Sequence, residues 1–114
     1  MSTELLNIST TKTTNSRISE LDWDNLPFGR VFSDHMFVMD YKDGKWHNPT
    51  IQPFADLSMS PATSILHYGQ TFFEGMKATK SAEGDVLLFR PEENAKRFNL
   101  SAERMCMPEV PVEM

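Results

Sequence analysis

The dipeptide Asp43-Gly44 constrains this fold more than any other local feature. It follows an aromatic and apolar run, Phe32 to Tyr41, and precedes Trp46. A tight two-residue connection between antiparallel strands needs positive φ at both central positions, and Asp-Gly is a sequence that accepts this. The pattern predicts a strand of about eight residues, a tight turn and a returning strand through Trp46. Pro49, Pro53 and Pro61 then punctuate a segment expected to be irregular.

Further along, Ile65, Leu66, Gly69, Phe72 and Phe73 have helical spacing, predicting a helix over 62–73 with Gly75 as its stop. Met76 to Lys80 and Val86 to Phe89 flank Ser81-Ala82-Glu83-Gly84-Asp85, which predicts a second hairpin with a longer loop. The clearest element begins at Pro91, whose missing N–H costs nothing at a first helical position. Glu92 and Glu93 place negative charge at the positive helix end. Glu92 with Lys96, and Glu93 with Arg97, have the favourable i,i+4 order. Ala95, Phe98, Ala102 and Met105 form a core-facing stripe, and Pro108 and Pro111 are expected to end the helix. The expected class is α+β, a hairpin-rich sheet packed with two or more helices.

Composition narrows the function. The 114 residues suit one modest core, with roughly two-thirds of the unfolded surface buried. One cysteine, Cys106, cannot build a disulfide framework. No apolar run approaches the ~20 residues of a membrane span, so no membrane partner is expected. Sixteen acidic against 11 basic side chains, a net charge of −5, argue against nucleic-acid binding. Residues 1–21 are read as a flexible Ser/Thr-rich tail, with nine Ser or Thr between Ser2 and Ser19 and apolar side chains there only at Leu5, Leu6, Ile8 and Ile18. They lack the apolar core of a secretory signal, and Glu4 and Glu20 offset Lys12 and Arg17, unlike a transit peptide. The expected location is cytoplasmic.

Chemistry-bearing patterns are few. His35, His47 and His67 lie far apart and at no metal-ligand spacing, so structural roles and no metal are expected. Cys106, near a helix end, reads as a lone buried thiol. The five glycines form no phosphate-cradling loop. On the last helix, Asn94, Arg97, Ser101 and Arg104 share one stripe. It could receive a phosphate or carboxylate, or be a solvated face with Arg97 engaged by Glu93, and pattern alone favours the solvated face. Phe28, Tyr68, Phe72 and Phe73 are dense aromatics of which pattern cannot say which line a pocket.

Three strings together carry a resemblance: Phe28-Gly29-Arg30-Val31-Phe32-Ser33-Asp34-His35-Met36, Leu66-His67-Tyr68-Gly69-Gln70-Thr71-Phe72-Phe73-Glu74-Gly75-Met76-Lys77-Ala78, and Phe89-Arg90-Pro91-Glu92-Glu93-Asn94-Ala95-Lys96-Arg97-Phe98. In order and spacing, from about Asp22 to Pro111, the chain resembles the branched-chain amino-acid aminotransferases, class IV pyridoxal-phosphate-dependent enzymes. The resemblance implies that residues 22–114 are the N-terminal, small domain of a fold-type IV enzyme, with the second domain absent. It implies that Arg97 holds the phosphate of pyridoxal 5′-phosphate, a task suited to a planar, permanently charged fork. Tyr68, Phe73 and Phe28 match positions lining the pocket for the substrate's apolar side chain. Glu74 and Gly75 also match the family pattern and are read as structural.

The implied reaction moves the amino group of leucine, isoleucine or valine to 2-oxoglutarate, giving a branched 2-oxo acid and glutamate. In the family, a lysine in the second domain forms the Schiff base with the cofactor and shuttles the proton. Lys12, Lys42, Lys45, Lys77, Lys80 and Lys96 do not occupy that position, so no catalytic residue is assigned and the separate chain is expected to be inert, with weak or no cofactor binding. The full-length enzyme is expected to be a homodimer. Two other readings stand beside this one: a non-catalytic interaction or binding module keeping the same fold, and a class IV enzyme for D-amino acids or aminodeoxychorismate, which the Phe28 to Met36 motif disfavours.

Overall fold

The computed structural model describes residues 7–114, and the part of the expected tail at residues 1–6 lies outside them. The described residues form two compact units, 7–58 and 59–114, each with its own sheet. The class is α+β, with two small sheets, two α-helices and a 3₁₀ turn (Ile18–Glu20) among the described residues. Where a single sheet is expected from the sequence, the hairpins at Asp43-Gly44 and at 81–85 build separate ones.

The first unit is organised by the Asp43-Gly44 turn. Strand β2 (His35–Lys42) and strand β3 (Lys45–Pro53) pair antiparallel around it, with φ of 52° at Asp43 and 77° at Gly44. Both residues are left-handed, as the tight turn requires. Tyr41 and Trp46 face each other across the strands, their rings edge-on at 5.0 Å. The register shifts by one between Val38↔Thr50 and Asp40↔His47, where Asn48 and Pro49 together oppose Met39. Asn48 takes φ of 51° in this bulge, and Pro49 behind it is buried. This corrects the expectation of irregularity after Pro49. A bulge absorbs a proline that cannot donate to the ladder, and the strand continues to Pro53.

A third strand, β1 (Ser9–Thr10), runs parallel to β3 with Ser9 opposite Thr50 and Thr10 opposite Ile51. The Ser/Thr-rich stretch beyond it is anchored by polar contacts. The Thr13 amide donates to His35 Nε2 at 2.9 Å, and the Ser16 hydroxyl donates to Asp34 Oδ2 at 2.6 Å. The Arg17 amide donates to Asp34 Oδ1, while its Nη2 reaches the carbonyls of Phe32 and Ser33. These donors, the Ser16 hydroxyl foremost, hold the Asp34 carboxyl below the usual carboxylate range.

In the second unit the first helix is short. Helix α1 covers only Ser64–Tyr68, against the expected 62–73. Gly69 stops it by turning left-handed at φ 59°, ψ 30°, so the stop is Gly69 and not Gly75. The aromatic spacing that suggests a longer helix is met otherwise: Phe72 leaves the helix and packs edge-on against Phe98 at 4.6 Å. Strands β4 (Ala78–Lys80) and β5 (Val86–Leu88) form the second hairpin where expected.

Helix α2 (Pro91–Arg104) begins with Pro91 in its first turn and buries Ala102 completely, with Ala95, Phe98 and Met105 half-buried beside it. Its end also differs from expectation, because the chain leaves the helix before either proline is reached. Cys106 turns left-handed at φ 54°, its amide donates to the Glu103 carbonyl, and the Met107 amide returns to the Ala102 carbonyl. That pair of bonds is a Schellman cap, with cysteine where glycine usually sits. Cys106 is exposed in this cap, which corrects the expectation of a buried thiol. Beyond the cap, Asn99 clasps Val110 by donating to its carbonyl at 2.7 Å and accepting from its amide at 2.9 Å. No helix among the described residues is long and apolar enough to cross a membrane.

Candidate functional site

The polar stripe on α2 does not act as one surface. Ser101 turns its hydroxyl back onto the Arg97 carbonyl at 3.2 Å. Ser101 and Arg104 both border an open concavity with Phe72, Leu100 and Met105 that includes none of the four site residues expected from sequence. Asn94 and Arg97, one turn apart, converge on a residue outside the helix. Arg97 Nε donates to Glu74 Oε2 at 2.7 Å, and Arg97 Nη2 donates to Glu74 Oε1. The expected partner, Glu93, pairs with Lys96 at 2.8 Å. The i,i+4 pairings anticipated on this face are thus replaced by an i,i+3 pair and a tertiary contact.

Glu74 accepts four hydrogen bonds in all. Its Oε1 accepts from Asn94 Nδ2 at 3.2 Å and from the Gly75 amide at 2.9 Å, besides Arg97. Asn94 Nδ2 also reaches the Gly75 carbonyl at 2.9 Å, closing a ring between α2 and the 74–75 segment. The Arg97 hydrogen bonds foremost, with those of Asn94 and Gly75, lower the Glu74 carboxyl to about 2, and Glu74 in turn raises Arg97. The carboxylate is therefore charged at every ordinary pH.

The pairing is one-sided in a way that matters for binding. A guanidinium has five N–H bonds in a planar fork. Glu74 takes one edge, Nε with Nη2, and Nη1 makes no hydrogen bond among the described residues. The Arg97 side chain is 67% exposed and that of Glu74 only 11%. A fixed, outward-facing edge of this kind can grip two oxygens of an anion.

The aromatic residues expected to line a pocket stand in the open. Tyr68 and Phe73 are 87% and 91% exposed in the second unit, and Phe28 is 104% exposed in the first. Tyr68 closes α1 and Phe73 directly precedes Glu74, so chain continuity keeps Phe73 beside the Arg97 anchor. Each histidine engages a backbone group: His47 the Lys42 carbonyl and His67 the Pro61 carbonyl nearby in sequence, and His35 the amide of Thr13, 22 residues away. Sequence reasoning missed the role of Glu74 as the Arg97 partner. Helical periodicity cannot find a pairing between residues 23 positions apart, one of them off the helix.

No family model matches the chain. Curated proteins do. The chain is 52% identical over 94 residues to branched-chain-amino-acid transaminase 1 of Bacillus subtilis, covering 82% of this chain and 26% of that protein. It is 44% identical over 107 residues to the chloroplastic branched-chain-amino-acid aminotransferase 5 of Arabidopsis thaliana, covering 93% and 26%. The branched-chain-amino-acid aminotransferase of Helicobacter pylori is 44% identical over 97 residues, covering 85% and 28%. The chain is thus homologous to aminotransferases over most of its length. More particularly, its curated homologues are branched-chain-amino-acid aminotransferases, and it spans about a quarter of the length of these relatives.

Proposed function

We propose that residues 22–114 form the small, N-terminal domain of a fold-type IV branched-chain-amino-acid transaminase, in which Arg97 grips the phosphate of pyridoxal 5′-phosphate. The observation that carries the reading is the outward edge of Arg97, held by Glu74 with its Nη1 uncommitted. This fits a phosphate: three guanidinium N–H bonds remain for oxygens after Glu74 takes two of the five. Identity of 44–52% to transaminases over most of the chain supports it independently.

Tyr68, Phe73 and Phe28 then supply apolar wall for a leucine, isoleucine or valine side chain. Their exposure suits residues whose pocket is completed by further protein. When bound, the cofactor supplies the electron sink that makes amino-group transfer possible. The 114 residues contribute binding and orientation, and the lysine that carries the cofactor comes from outside them. The same reading gives a homodimeric, cytoplasmic enzyme passing amino groups between branched-chain amino acids and 2-oxo acids.

The test is to mix the 114-residue chain with pyridoxal 5′-phosphate, leucine and 2-oxoglutarate. The expected result is no turnover and no stoichiometric band reducible by borohydride. Adding the remaining three-quarters of a homologous transaminase should restore turnover, and Arg97→Ala should abolish that restoration. Leucine turnover by the chain alone, or undiminished restoration with Arg97→Ala, would overturn the reading.

A further inference from the structure

Resting on the reading of Arg97 as a phosphate grip, we propose that Glu74 is its positioning residue: it takes the Nε/Nη2 edge of Arg97 and thereby presents the Nη1/Nη2 edge to a phosphoryl group. An arginine on an exposed helix face loses rotamer freedom when fixed, a cost that falls on binding unless it is met beforehand. Here it is met within the protein. Glu74 Oε2 receives Nε, and Oε1 receives Nη2, Asn94 Nδ2 and the Gly75 amide. Asn94 braces the carboxylate from the same helix that carries Arg97, and its second bond, to the Gly75 carbonyl, ties that brace to the 74–75 backbone.

The charges make the inference testable, because a carboxylate beside a phosphate grip has two opposite possible effects. It could weaken an anion site by neutralising Arg97. Alternatively, with both oxygens occupied by donors, it could act as a hinge pin whose geometric contribution outweighs the lost charge. Four hydrogen bonds engage both carboxylate oxygens, three at Oε1 and one at Oε2, and the guanidinium edge that faces away from them offers an anion N–H donors. Geometry therefore wins, and removing the Glu74 charge weakens phosphate binding where simple electrostatics would strengthen it.

The experiment complements the chain with the remaining three-quarters of a homologous transaminase and measures affinities for pyridoxamine 5′-phosphate and for pyridoxamine, neither of which has an aldehyde to couple to lysine. Their ratio isolates the phosphate. Wild type should favour the phosphorylated compound, and Arg97→Lys, which keeps charge but loses the fork, should remove most of that preference. Glu74→Gln should lower the ratio about tenfold, as expected for disturbing a charge-assisted hydrogen bond, while leaving pyridoxamine binding unchanged. The Arg97 Nε–H resonance, slow to exchange in wild type, should become fast in Glu74→Gln without phosphate present. Asn94→Ala, which keeps the ion pair, should lower the ratio in the same direction but less, and it decides the matter if Glu74→Gln does not fold. An unchanged or raised ratio in Glu74→Gln, or no fall in Asn94→Ala, overturns the positioning role while the Arg97 reading stands. A wild-type ratio of one overturns the Arg97 reading, and this inference with it.

Discussion

Glu74 and Arg97, 23 residues apart, meet edge to edge, the carboxylate accepting from both Nε and Nη2 of the guanidinium. The contact joins the segment after α1 to the middle of α2 and leaves the outer side of the arginine exposed.

This pair sets a dependence on acid. The folded-state Glu74 carboxyl is lowered from 4.5 to about 2, so its contribution is complete above the unfolded value and is lost as pH falls from about 4.5 through 2. Melting wild type and Glu74→Gln side by side should show wild type more stable at pH 6. The difference should shrink below pH 4.5 and close near pH 2. A difference independent of pH would mean that the charge of Glu74 plays no part.

Gly44 is the second left-handed residue of the β2–β3 turn, and a side chain there meets no neighbour within 4 Å. Gly44→Ala is therefore a backbone effect alone and should cost about 1–2 kcal/mol, the penalty of a left-handed alanine. Urea unfolding followed by tryptophan fluorescence would report it, since Trp46 lies next to the turn on β3.

Cys106 gives the opposite sign. It holds φ of 54° in the α2 cap, is exposed and forms no disulfide. Cys106→Gly should stabilise the protein by about 0.5–1 kcal/mol, relief of left-handed strain exceeding the added freedom of the unfolded chain. A rise in the urea midpoint at unchanged m-value is the expected signature.

Asn99 satisfies both backbone groups of Val110. Asn99→Ala leaves a part-buried donor and acceptor without their partner and should cost about 1–3 kcal/mol. Hydrogen exchange at the Val110 amide should accelerate strongly, while exchange in the β2–β3 pair should keep its wild-type rate.

How much of this was legible beforehand follows the range of the forces involved. The Asp43-Gly44 turn, the second hairpin and the Pro91 helix start are local. Each depends on the backbone freedom of one or two residues, so single-sequence pattern finds them. Aromatic spacing over 62–73 cannot distinguish a longer α1 from a chain that leaves the helix at Gly69 and sends Phe72 to Phe98. Pro49 reads as a breaker in sequence because the bulge that accommodates it depends on the partner strand, which supplies one residue opposite two.

The sequence by itself determined the hairpins, the extent of the last helix at its start and, through three ordered motifs, the resemblance to branched-chain aminotransferases. Only the tertiary structure decided what Arg97 does with its charge. Helical periodicity places Glu93 within reach, yet Glu93 takes Lys96 and Arg97 takes Glu74. The reason is physical: Glu74 is a largely covered carboxylate already oriented by Asn94 and the Gly75 amide, whereas Glu93 is a solvated surface group. A preorganised, partly desolvated acceptor binds a guanidinium more strongly than a mobile one does.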